Sequence, residues 1–109
     1  MEDLELVSFK VISAAGAAKS AFMEAMKYAR NGEFAKAQLC IEEGELKRRE
    51  GHEVHFGLIQ KEASGDPVTM NLLLTHAEDQ LMGAETIGIM SKEILENHKA
   101  IARLEERIG

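Results

Sequence analysis

The chain has 109 residues and a formal net charge of −6, the size of a single domain. Its apolar fraction of 45% excludes wholesale disorder, while 13 basic against 19 acidic residues and 5% aromatics argue against binding nucleic acid by phosphate contacts or base stacking. A lone Cys40, an acidic start (Met1-Glu2-Asp3-Leu4-Glu5) and no apolar run near the roughly 18 residues of a membrane span lead to the expectation of a soluble, cytoplasmic protein with no membrane insertion.

A single proline, Pro67, points to an all-helical chain. Two breaks divide it. Asn31-Gly32 offers residues that tolerate the left-handed conformation ending a helix. Gly65-Asp66-Pro67 adds a proline that disfavours helix just before it. The predicted helices are therefore 4–30, 33–64 and 68–108 of one domain spanning 1–109.

In the first helix Val7, Val11, Ala14, Ala15, Ala18, Phe22, Ala25 and Ala29 recur at three and four residues, the helix period. The second is weaker, with Phe34, Ala37 and Ile41 before a polar stretch and Val54, Leu58 and Ile59 after it. Gly44, Gly51 and Gly57 each cost up to about 1 kcal/mol against Ala, so packing must offset them or the helix bends. Glu42-Glu43 ahead of Lys47-Arg48-Arg49 reads as a paired helix surface, or as a docking patch for an acidic partner. The third helix carries the clearest stripe, including Leu74, Ala77, Leu81, Ala84, Ile87, Ser91, Ile94, His98 and Ile101. A helix of this length runs about 57 Å, against a radius of gyration near 13 Å for a compact domain of this size. An elongated antiparallel three-helix bundle follows, with so little core that another subunit is expected to cover part of it.

Histidines carry the candidate chemistry. His52-Glu53-Val54-His55 spaces its imidazoles by three residues where the zinc-protease motif needs four, so it reads as a weak metal pair or as two structural histidines. No histidine follows a glutamate by three, which removes the di-iron bundle pattern. The run Leu72-Leu73-Leu74-Thr75-His76-Ala77-Glu78-Asp79-Gln80-Leu81-Met82 brings His76, Asp79 and Gln80 together on one side of a helix. Imidazole is nucleophilic near neutrality, and an amide beside it could orient the ring or a phosphoryl group. Pattern alone also allows a plain polar turn.

The same residues resemble a known family, the lactose/cellobiose (also chitobiose) type of IIA component of the bacterial phosphoenolpyruvate:sugar phosphotransferase system. Its Leu-x-x-His-Ala-Gln-Asp-His-Leu-Met segment stands here as Leu73 to Met82. Ile12 to Ser20 with Glu24-Ala25-Met26, the Asn31-Gly32-Glu33-Phe34 turn and Leu58 to Gly65 extend the similarity in the same order. Glu78 replaces a common Gln and Gln80 a common His, while His55 and Phe56 stand where Gln-Thr is usual.

The resemblance implies a phosphocarrier. HPr, charged by enzyme I, phosphorylates His76 at Nε2, and a cysteine of the IIB component takes the group for a sugar entering through the membrane IIC component. It further implies a homotrimer of nine helices with the active His in a groove between subunits. Asp79 from the three copies would share one divalent ion at the axis: a hard cation compensates three converging carboxylates, and oxygen-only ligands favour one of the Mg²⁺ kind. Gln80, Glu78, His52 and His55 are the candidate supporting side chains. The competing classes are a helical interaction module and a histidine-phosphotransfer domain of a signalling relay. The latter usually has a basic residue close to its His, and none stands within the twelve residues before His76.

Overall fold

The computed structural model describes residues 3–109 as three helices, α1 (Leu4–Arg30), α2 (Phe34–Ala63) and α3 (Leu72–Ile108). They form an up-down-up rod of 63 × 20 × 20 Å with a radius of gyration of 17.5 Å. The chain is long for its width because each helix is two to three times the usual length.

Both connections are set by glycine. After α1 the chain turns at Gly32, φ +78°, and Glu33 N–H donates to the Tyr28 carbonyl at 2.9 Å while Gly32 N–H donates to Ala29 at 3.1 Å. After α2 the same double closure recurs at Gly65, φ +96°, with Gly65 N–H on Glu62 and Asp66 N–H on Lys61. These paired bonds satisfy the last carbonyls of a helix, and the left-handed step they need carries no penalty for glycine.

Helix α3 begins at Leu72, four residues later than Pro67 suggested. Asn71 decides the start: its side chain accepts from Leu74 N–H at 2.8 Å, an N-cap, and residues 67–71 stay non-helical ahead of it.

Helix α1 is the centre of the bundle. Val7, Val11, Ala15, Ala18, Phe22, Ala25 and Ala29 are buried along it, and α2 and α3 both pack on that stripe. By length and composition alone α1 is apolar enough to cross a membrane, but its apolar stripe is the one buried against α2 and α3. Alanines account for this, and their short side chains let the two neighbouring helices cover the stripe closely.

Phe22 is fully buried, and its ring sits between Gly44 of α2 and Gly88 of α3, where an added Cβ would approach to 2.5 and 2.8 Å. Gly51 is pressed against Ala14 and Leu81, whereas nothing meets Gly57. Two of the three glycines in α2 therefore make room for packing. Glu45 pairs with Arg48 on its own helix at 2.9 Å and ties α2 to α3 through Lys92 at 3.1 Å. Burial pushes its carboxyl up, but the two bound cations outweigh burial and hold it below the ordinary carboxylate range.

Candidate functional site

The register of α3 follows from its buried stripe, Leu74, Ala77, Leu81, Ala84, Gly88, Ser91 and Leu95. At about 100° per residue, this fixes where the chemical side chains lie around the helix. His76 and Asp79 fall outside the stripe and are exposed, so the imidazole is open to an approaching protein. Asp79 points almost directly away from the core, with His76 about 60° from it on the side towards α1.

Gln80 lies one turn beyond His76, between it and the buried stripe, and is half-buried against α1. Its Oε1 accepts from Lys19 Nζ at 2.7 Å. The Lys19 ammonium also lies where a Cβ on Gly83 would come within 3.2 Å of it. Lys19 is thus laid along the line His76–Gln80–Gly83, and sequence analysis did not connect it with the site.

Glu78 faces the other way, about 200° around the helix from His76. Its Oε2 meets His55 Nε2 at 2.6 Å, and His52 Nδ1 stands 3.8 Å from Glu85 Oε1. A carboxylate only accepts, so Nε2 of His55 carries the proton in that bond. His52 stacks on Phe56 with ring centroids 6.3 Å apart. These groups border a cleft of about 540 Å³ between α2 and α3 that also touches Asp79. Of the four supporting residues expected, only Gln80 adjoins His76 within one chain. Glu78, His52 and His55 form a separate cluster, because two positions along a helix reverse the side chain's direction.

The outward face of α3 sets Asp79, Thr86 and Asn97 among exposed apolar side chains. Leu72, Met90, Ile101, Leu104 and Ile108 are exposed along it, Leu72 at 86% and Ile108 at 87%. A long apolar strip of this kind marks a contact surface. Among the described residues no three His, Cys, Asp or Glu side chains are grouped to hold a metal within one chain. Cys40 is half-buried in α2, and burial, with the charge of Glu24, pushes its thiol up and away from thiolate reactivity.

The model of a protein family described as "PTS system, Lactose/Cellobiose specific IIA subunit" matches residues 6–99. The chain is 37% identical over 98 residues to the PTS system lactose-specific EIIA component of Staphylococcus aureus, covering 90% of this chain and 95% of that one. Its fold is similar to the crystal structure of the PTS cellobiose-specific enzyme IIA from Bacillus anthracis, with a TM-score of 0.89, 31% identity and coverage of 94% and 95%. It is also similar to a chain in the solution structures of the IIA(Chitobiose)-HPr complex of the N,N'-diacetylchitobiose branch of the Escherichia coli phosphotransferase system, with a TM-score of 0.81, 29% identity and coverage of 94% and 99%.

Proposed function

Since this chain belongs to the lactose/cellobiose-specific IIA family of the sugar phosphotransferase system, we propose that it relays a phosphoryl group through His76 from HPr to the cysteine of a IIB component. The sugar, a β-linked disaccharide of the cellobiose, lactose or chitobiose type, is phosphorylated as it enters through the IIC component. Family membership sets aside the interaction-module and signalling-relay readings. We assign the protein to the cytoplasm, where the phosphoenolpyruvate that feeds this chain of carriers is made.

The observation that carries the assignment to His76 is its exposure on the second turn of α3 beside the Lys19–Gln80 pair. The chemistry needs little else. A nitrogen lone pair of the neutral His76 ring attacks phosphorus as the N–P bond of the donor's phosphoimidazolium breaks. The donor ring keeps that bond pair and leaves neutral, so no proton need move. In the second step a thiolate forms an S–P bond while the N–P bond on His76 breaks and its ring is released neutral. Such transfers depend on alignment and charge compensation more than on acid–base catalysis.

We further infer a trimer in which the exposed apolar strip of α3 faces its copies. Burying that strip would bring Asp79 from three chains together, and carboxylates so placed repel unless a hard cation lies between them. Asp79, on the outward face amid apolar side chains, suits an oxygen-ligated ion of the Mg²⁺ kind. Such an ion would neutralise the converging carboxylates.

The test is to incubate the protein with phosphoenolpyruvate, enzyme I and HPr and follow its intact mass. An acid-labile, alkali-stable phosphoryl adduct is expected on the wild type and not on His76→Ala. An unlabelled wild type, or equal labelling of the variant, overturns the proposal.

A further inference from the structure

We propose that Lys19 is a positioning residue for the phosphorylated state of His76, acting through Gln80; this rests on the phosphocarrier reading above. Lysine has donors and no acceptor, so the Gln80 atom it meets at 2.7 Å is the carbonyl oxygen. That bond fixes the orientation of the Gln80 amide and leaves both N–H donors of its NH₂ group uncommitted to Lys19. Gln80 is four residues beyond His76, a spacing that makes their side chains neighbours. The freed donors are then within reach of oxygens carried on the His76 ring.

Charge points the same way. The partner of Lys19 in this bond is a neutral amide, so the bond leaves the ammonium charge uncancelled. Its position is set twice, by Gln80 and by the space over Gly83, along the line that runs back to His76. Lys19 is half-buried, and salt screens a charge so placed less than a fully exposed one. Phosphorylation adds close to two negative charges to a chain whose net charge is already −6. A cation held on Gln80, the residue one helical turn along α3 from His76, offsets part of that repulsion. The Lys19–Gln80 pair therefore stabilises the phosphorylated form relative to the free imidazole and draws the phosphoryl group from HPr onto this protein.

The experiment measures the equilibrium partition of the phosphoryl group between HPr and this protein. The proteins compared are the wild type, Lys19→Met, Lys19→Gln, Lys19→Arg and Gln80→Leu. Lys19→Gln retains a hydrogen-bond donor without the charge, which guards against a folding defect in Lys19→Met. Both charge-free variants should shift the partition towards HPr by about fivefold, Lys19→Arg should restore most of it, and added salt should narrow the gap. Gln80→Leu should shift the partition in the same direction, and combined with Lys19→Met the two losses should come to less than their sum. Unchanged partition in folded Lys19→Gln, or failure of Lys19→Arg to rescue, overturns the role of Lys19 while labelling at His76 stands. Loss of labelling in the wild type would instead overturn the phosphocarrier reading, and the role of Lys19 with it.

Discussion

The ring of Phe22 occupies the space that a side chain at position 44 would need: a Cβ on Gly44 would lie 2.5 Å from its Cε1. The adjoining Cζ–Cε2 edge of the ring meets Gly88 in the same way, so one aromatic joins all three helices through two positions with no side chain. Gly44→Ala should therefore destabilise the protein by about 1–3 kcal/mol, the cost of overpacking a filled core. Gly57→Ala, with nothing near its Cβ, should stabilise it by about 0.5–1 kcal/mol through helix propensity alone. Thermal melts of the two variants should move in opposite directions.

Glu45 gives the bundle a pH dependence of known sign. Arg48 and Lys92 keep its folded carboxyl ionised to lower pH than the same group in the unfolded chain. The stabilisation is complete above the ordinary carboxylate value of about 4.3 and is lost as pH falls through the lower, folded value. Glu45→Gln should cost about 1 kcal/mol at pH 7, with the difference from wild type closing in acid. Denaturant titrations at several pH values check this.

If the outward face of α3 is the trimer contact, placing charge on it should dissolve the assembly. Ile101→Asp with Leu104→Asp should give a monomer by light scattering, since buried like charges repel and cannot all be paired. Asp79→Leu should act differently, leaving the oligomer associated but reducing bound divalent metal to background by elemental analysis. Unchanged metal content would remove Asp79 from that role.

Much of this architecture is legible along the chain because it is local. The periodic apolar residues and the Gly32 and Gly65 turns are local signals, and they mark the ends of α1 and α2 to within a residue. The start of α3 was harder to read, because Pro67 restricts only its neighbour and the capping side chain stands at Asn71. The glycines of α2 could be counted from sequence, but their partner Phe22 could not, being on another helix. The site divides in the same way. His76 and Gln80 share a helix, so their closeness follows from spacing. The Lys19–Gln80 bond joins residues 61 apart, and the His55–Glu78 bond joins residues 23 apart. Neither contact has a local signature, so neither Lys19 beside Gln80 nor the pairing of His55 with Glu78 can be read along the chain.

The most direct measurement follows the imidazole nitrogens of the four histidines by ¹⁵N NMR while HPr and enzyme I phosphorylate the protein. One Nε2 resonance, that of His76, should shift on phosphorylation and return when IIB is added, with His52, His55 and His98 keeping their ring connectivity. A phosphorus–nitrogen coupling on any of those three, or on none of the four, would contradict the account.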